Sequence, residues 1–287
     1  MHSRLDEETQ REERRMLAEY YLDNSYIDPN IEVEYPPVAI SMGETTYKKS
    51  NGTEVRYPIP ISTYGNFSVI QGPPKHKKTF LVTLLSAAYI SDDCKFTGSI
   101  KGHRDGKCLY HFDTEQGNFH AQRVFKRTLS MTNQTSSCYR TFGLRPRTPE
   151  ERADIIEYAL YNNDNVGLCI IDGIADLIND VNNIEESNKI VQCLMKWSQE
   201  TNTHIMVVIH SNHGSNKPTG HLGSALMKKC ETLLLLSKDD NEDLINVDCA
   251  LSRGIPFSRF QFRLNDFNLP YVDEGLNFDK LNGFLWK

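Results

Sequence analysis

The chain has 287 residues, a net charge of −6, 39% apolar and 24% charged residues, a composition that excludes disordered and fibrous classes. The acidic balance argues against a surface that binds nucleic acid as a whole, while leaving room for basic loops that do. Apolar runs too short to span a bilayer, an amino terminus without a signal-peptide core and seven cysteines with no C-x-x-C pair point to reduced thiols, no zinc site, no membrane partner and a cytoplasmic location.

Residues 1–36 read as a helical appendage. Asp6 to Leu22 is charge-rich, with Leu5, Met16, Leu17, Tyr20, Tyr21 and Leu22 as its apolar positions. Two readings stand: a helix docking on a neighbouring subunit, or a solvated tail. Residues 37–65 read as a β-rich lead-in, with a hairpin signal at Asn51 and Gly52. It either covers a bound base or packs on a sheet edge.

The most informative stretch follows. Phe67 to Ile70 is a short apolar strand, and Phe80 to Tyr89 reads as a buried helix. Between them, Gly72, Lys78 and Thr79 fall on the first Gly, the Lys and the Ser/Thr of the phosphate-loop pattern G-x-x-x-x-G-K-[ST]. Lys77 stands where the pattern has its second glycine. Gly72, Pro73, Pro74, Lys75, His76, Lys77, Lys78, Thr79 and Phe80 are therefore the candidate nucleotide-binding run. Backbone N–H groups and the positive end of the following helix suit phosphate oxygens. Lys78 suits the β- and γ-phosphates of ATP, and the Thr79 hydroxyl suits Mg²⁺. The competing reading is a basic turn after a strand.

Three further apolar runs end in polar tips: Lys107 to Asp113 with Thr114 and Glu115 after it, Val166 to Ile171 ending at Asp172, and His204 to Ile209 ending at His210. Continuous apolar runs suit strands of a parallel sheet buried on both faces. Ligands of such sheets bind at the carboxyl ends of the strands. Asp172 suits the Mg²⁺ shell, directly or through water. Glu115 suits a base that orients or deprotonates water. His210 suits a sensor of the γ-phosphate. Between the runs, Lys95 to Lys107 reads as a basic surface loop. Helices are expected from Gln116 to Ser130, from a capping box at Thr148 and Glu151 to about Tyr161, and from Ile184 to Thr201. Cys138 to Leu144 reads as a strand.

After residue 230 come Thr232 to Ser237, Leu244 to Asp248 and Phe260 to Leu264, strands joined by tight turns, one at Asp239 to Glu242. The fold class is thus α/β, with a mainly parallel central sheet flanked by helices and antiparallel edge strands. Residues 66–265 form its core, and residues 266–287 a tail that packs on the body.

The order of loop, Glu115, Asp172 and His210 resembles the RecA-like branch of P-loop ATPases, within the hexameric helicase group of RepA and DnaB type. It is similar above all to the RepA-like ATPases of mobile elements and phages. The likeness runs from about Asn66 to Arg263 and includes His210 to Gly214, the loop Lys217 to Ser224, and Leu251 to Pro256. It implies an ATPase that uses ATP and Mg²⁺. It also implies self-association into a hexamer, another ring or a filament, single-stranded DNA as partner, and a role with other proteins in DNA replication or recombination. Within that resemblance Arg253 corresponds to a finger reaching the neighbouring subunit's nucleotide, though Ser252 stands where the pattern often has Asn. Lys217, His213 and His221 fall where such proteins face DNA; an ordinary surface loop is the alternative. Two other functions remain open: a low-turnover nucleotide switch or helicase loader, which Lys77 favours, and a small-molecule kinase, against which Glu115 argues.

Overall fold

The computed structural model of the protein describes residues 2–211, 219–238 and 244–273. The chain divides into two units, Met1–Tyr35 and Pro36–Lys287. The first is built on helix α1 (His2–Asn24), on which Met16, Leu17, Tyr20, Tyr21 and Leu22 are exposed. No helix among the described residues is long and apolar enough to cross a membrane.

The second unit runs β1 (Val38–Lys48), β2 (Glu54–Thr63), β3 (Phe67–Gly72), α2 (Lys78–Ile90), β4 (Ile100–Gly102), β5 (Cys108–Asp113), α3 (Asn118–Ser130), β6 (Tyr139–Gly143) and α4 (Pro149–Tyr161). It continues through β7 (Val166–Asp172), α5 (Ile184–Thr201), β8 (His204–His210), α6 (Gly220–Lys229), β9 (Thr232–Lys238), β10 (Ile245–Ser252), β11 (Phe260–Leu264) and β12 (Pro270–Val272). A nine-stranded sheet has the order β12-β11-β10-β9-β3-β8-β7-β5-β6. From β9 to β6 its neighbours pair in parallel; β10, β11 and β12 pair antiparallel at one edge. This is the expected α/β architecture.

The sheet divides the core. One side packs α2 against the sheet through Leu81, Leu84, Leu85 and Ala88, with Leu109, Ile170 and Met206 among the strand residues. The other packs α4, α5 and α6 through Ile156, Leu194, Trp197, Leu222 and Leu226. Period-two alternation explains how both sides are supplied: Leu109 and His111 of β5 point to the first side, Tyr110 and Phe112 to the second. The expected capping box on α4 is formed, Thr148 and Glu151 exchanging hydrogen bonds of 3.2 and 3.0 Å.

Strands β2, β1 and β4 form a small separate sheet. It packs against the carboxyl-terminal half of α2, where the Tyr64 and Tyr89 hydroxyls meet at 3.0 Å, away from the phosphate loop. Gly52, with φ of 83°, turns the β1–β2 hairpin.

Three segments depart from the sequence reading. The residues read as a tail begin with a strand, β12, which pairs Tyr271 with Arg263 and carries the sheet past residue 265. Lys95 to Lys107 is not simply a surface loop: β4 lies inside it, pairing Ile100 with Met42 and Gly102 with Ile40. A strand of three residues is too short to show a period. The stretch read as a loop up to Ser224 instead turns into α6 at Gly220. Gly220 suggested a loop because its role is tertiary: a Cβ there would meet the Val181 carbonyl oxygen at 2.5 Å. The helix buries Leu222 and Leu226, one turn apart. The turn read at Asp239 to Glu242 and tail residues 274–287 lie outside the described residues.

Candidate nucleotide site

The carboxyl ends of β3, β5, β7 and β8 meet at one pocket of about 280 Å³, lined by Lys75, Lys77, Lys78, Thr79, Phe80, Glu115, Asp172, Val208, Ile209 and His210. Parallel registry brings them together: Gly72 pairs with His210 and Asp113 with Asp172.

The loop from Gly72 to Lys77 leads straight into α2. Lys77 takes the position before the helix with φ of 62° and ψ of 25°, and no side chain caps the helix. Lys75 is also left-handed, at φ of 65°. A non-glycine residue in this region costs about 1–2 kcal/mol, so the loop holds the glycine-like bend despite Lys77. The Lys77 ammonium turns back over the Phe80 ring at 5.2 Å, and the Arg127 guanidinium lies over the same ring at 4.0 Å. Pro73, Pro74 and His76 complete the loop, with the His76 Nδ1 3.1 Å from the Pro74 carbonyl oxygen.

Lys78 is buried and donates to the carbonyls of Gly72 and Pro73, each at 3.0 Å, and to Nδ1 of His210 at 2.9 Å. That contact leaves the His210 proton on Nε2, which lies 3.4 Å from Glu115 Oε1. A chain thus runs from Lys78 through His210 to Glu115. Burial pulls the Lys78 ammonium below its ordinary value, against the pull of Glu115 and Asp172. The hydrogen bond with His210 holds the Glu115 carboxyl below its ordinary range. Asp172 lies deeper. Burial pushes its carboxyl up to about 7, with Asp113 and Glu115 adding to the effect. Thr79 Oγ1 donates to Asp172 Oδ2 at 3.3 Å.

Several supporting groups escaped the sequence reading. Asp113 accepts from the backbone N–H of Glu115 and Gln116 at 3.2 and 2.7 Å, closing the turn that presents Glu115. The signal was present, since Asp hydrogen-bonds the backbone two residues on. Thr114 Oγ1 lies within 3.0 Å of the Asp172 and Gly173 carbonyl oxygens and 2.8 Å from Asp176 Oδ2, tying the tips of β5 and β7 together. Gly173 has φ of 111°, and a Cβ there would meet Thr114 Oγ1 at 2.2 Å. No local pattern announces such an approach between two strands.

Two candidate groups lie elsewhere. Ser252 pairs with Thr232, which pairs with Ser68, so Arg253 sits at the amino end of β3, opposite the pocket. There its guanidinium donates to the carbonyls of Cys230 and Lys229 at 3.2 and 2.9 Å, at the end of α6. His221 is on the first turn of α6 and lines a groove with α5, rather than a loop. His213 and Lys217 lie outside the described residues.

A sequence profile described as the AAA domain matches residues 56–216, more than half of the chain. No curated protein sequence matches it. Among solved structures, the chain is similar to one described as the crystal structure of the RadB recombinase (17% identity, TM-score 0.49, covering 71% of this chain and 90% of that one). It is also similar to one described as an ATPase domain (14% identity, TM-score 0.50, covering 69% and 81%). With the profile match and the likeness in fold to that ATPase domain, the RecA-like P-loop resemblance is borne out.

Proposed function

Since this chain belongs to the AAA domain family, we propose that its pocket binds ATP and Mg²⁺ and hydrolyses the nucleotide. The observation that carries this reading is the convergence of Lys78, Thr79, Glu115, Asp172 and His210 on a single pocket. The uncapped amino end of α2 and the loop's N–H groups suit the phosphates. Lys78 moves from the Gly72 and Pro73 carbonyls to the β- and γ-phosphates. Glu115, kept ionised by His210, accepts the proton of the attacking water. His210 touches both Lys78 and Glu115, so it senses the γ-phosphate and reports it to the base. Thr79 Oγ1 and Asp172 fit Mg²⁺, being hard oxygen donors 3.3 Å apart beside the phosphate loop. When bound, the ion neutralises phosphate charge.

The finer reading is a cytoplasmic, oligomeric motor or helicase on single-stranded DNA, in replication or recombination with partner proteins. Arg253 reaches the neighbouring subunit's nucleotide; its place at the far end of the sheet from its own pocket supports action in trans. The exposed apolar residues of α1 support self-association. Residues 1–36, 37–65, 66–265 and 266–287 serve as appendage, lead-in, ATPase core and tail. His213, Lys217 and His221 are the proposed DNA contacts.

A second reading, a low-turnover switch or loader module, is favoured by Lys77 in a left-handed conformation and by Lys78 engaged with its own loop. Steady-state ATPase rates with and without single-stranded DNA decide between them. A working motor turns over faster with DNA. It loses turnover in Lys78→Ala, and in Glu115→Gln by about 10²–10⁴-fold. Binding without turnover in the parent protein supports the switch.

A further inference from the structure

Behind the Asp172 carboxylate, on the side of the sheet that carries α2, lies a histidine that the reading above does not use. His111 of β5 pairs with Ile170 of β7 and is fully buried. Its Nδ1 is 2.9 Å from the Tyr139 hydroxyl of β6, and the two rings stack nearly parallel, 7° apart. Its Nε2 has no hydrogen-bond partner and lies 3.9 Å from Asp172 Oδ2, the oxygen that accepts from Thr79.

Buried polar atoms are nearly always paired, so an orphan aimed at a carboxylate calls for an explanation. A neutral imidazole carries its proton on one ring nitrogen only. In the tautomer whose Nδ1 accepts from the Tyr139 O–H, the proton sits on Nε2 and faces the carboxylate. The other tautomer would set a lone pair against negative charge.

We propose that His111 is a positioning residue for Asp172: with its proton on Nε2 it would donate to Oδ2 and hold the carboxylate in place to ligate Mg²⁺. Tyr139 sets the tautomer from behind. Groups that hydrogen-bond a metal ligand orient it in this way, and their loss weakens metal binding by about 10–100-fold. The inference rests on the Mg²⁺–ATP reading of the pocket. A ring that merely fills the space between the sheet and α2 would act on folding alone.

The test is the affinity of full-length protein for a fluorescent ATP analogue, measured across a Mg²⁺ titration and in EDTA, with the melting temperature alongside. His111→Phe fills the site without a donor. It is expected to raise the Mg²⁺ needed for half-maximal binding about tenfold or more while leaving affinity in EDTA unchanged. His111→Gln, whose amide N–H₂ reaches about as far as Nε2, restores most of the response. Tyr139→Phe shifts it in the same direction by less, and carries the test should His111→Phe fail to fold. A parent-like Mg²⁺ response in His111→Phe or, where that variant does not fold, in Tyr139→Phe overturns the inference, as does equal loss with and without Mg²⁺. A parent protein that binds the analogue without responding to Mg²⁺ overturns the reading of the pocket, and this inference with it.

Discussion

At the amino end of the central sheet, His204 Nδ1 meets the Thr63 carbonyl at 2.7 Å and Nε2 meets Ser68 Oγ at 2.8 Å. Glu231 accepts from the Thr63 N–H and hydroxyl, and Arg253 caps α6. At the carboxyl end, His210, Glu115 and Lys78 form a similar set of histidine, acid and base around an open pocket. The residue types match, but their pairing does not. The amino end spends its polar groups on other parts of the same chain, as structural networks do. The carboxyl end keeps a strained loop and a raised carboxylate around space that a ligand can fill, with an orphaned histidine nitrogen behind that carboxylate. Buried charge and perturbed titration alone would not tell the two apart, because structural networks perturb both. The cavity does.

Arg253→Ala tests this contrast with the largest effect. If the amino end of one subunit completes the pocket of the next, ATP binding stays near normal and turnover falls by about 10³-fold or more. If the amino end is structural throughout, only the melting temperature drops. Equal loss of binding and turnover would instead place Arg253 in its own subunit's site.

A stability curve against pH sharpens the comparison next. Burial holds His204 down to about 4 from an ordinary value of 6.5. Between those values the unfolded chain binds a proton that the folded chain refuses. Stability from this group is therefore present above pH 6.5 and lost as pH falls towards 4, by about 3 kcal/mol. Asp113, Asp172 and Glu231, raised by burial, tilt the curve the other way. The readout is thus the difference between His204→Gln and the parent in urea unfolding at pH 5 and pH 7.5. The variant is expected to lose less stability on acidification, with turnover per folded molecule unchanged.

Gly173→Ala strikes the tip of β7. With φ of 111° and Thr114 in the way, it should cost about 1–3 kcal/mol and reduce turnover by displacing Asp172. An unchanged urea midpoint would show that the tips of β5 and β7 are free to part. The smallest effect belongs to Lys77→Gly, which removes left-handed strain from the phosphate loop. A gain of about 1 kcal/mol is expected, measured by thermal unfolding without nucleotide. A loss would mean that the Lys77 contact over Phe80 outweighs the strain.

Much of this was legible in the chain. Four apolar runs ending in polar tips are the four strands that frame the pocket, because a strand buried on both faces leaves a continuous apolar signal. Thr148 and Glu151 announced α4 because capping is local chemistry. What was not legible depends on partners distant in sequence. Ile100 finds Met42, Gly220 approaches Val181, and Gly173 makes room for Thr114. His111 comes to face Asp172 only because β5 and β7 pair in register.

By itself, then, the sequence determined the longer strands and helices and which side chains stand at strand tips, since hydrophobic period and phosphate-loop spacing are properties of neighbours along the chain. Only the tertiary structure decided that Glu115 shares His210 with Lys78, that His111 faces Asp172, and that Arg253 lies at the opposite end of the sheet. Those relations follow from strand order and register, which set distances between residues that the linear chain leaves far apart.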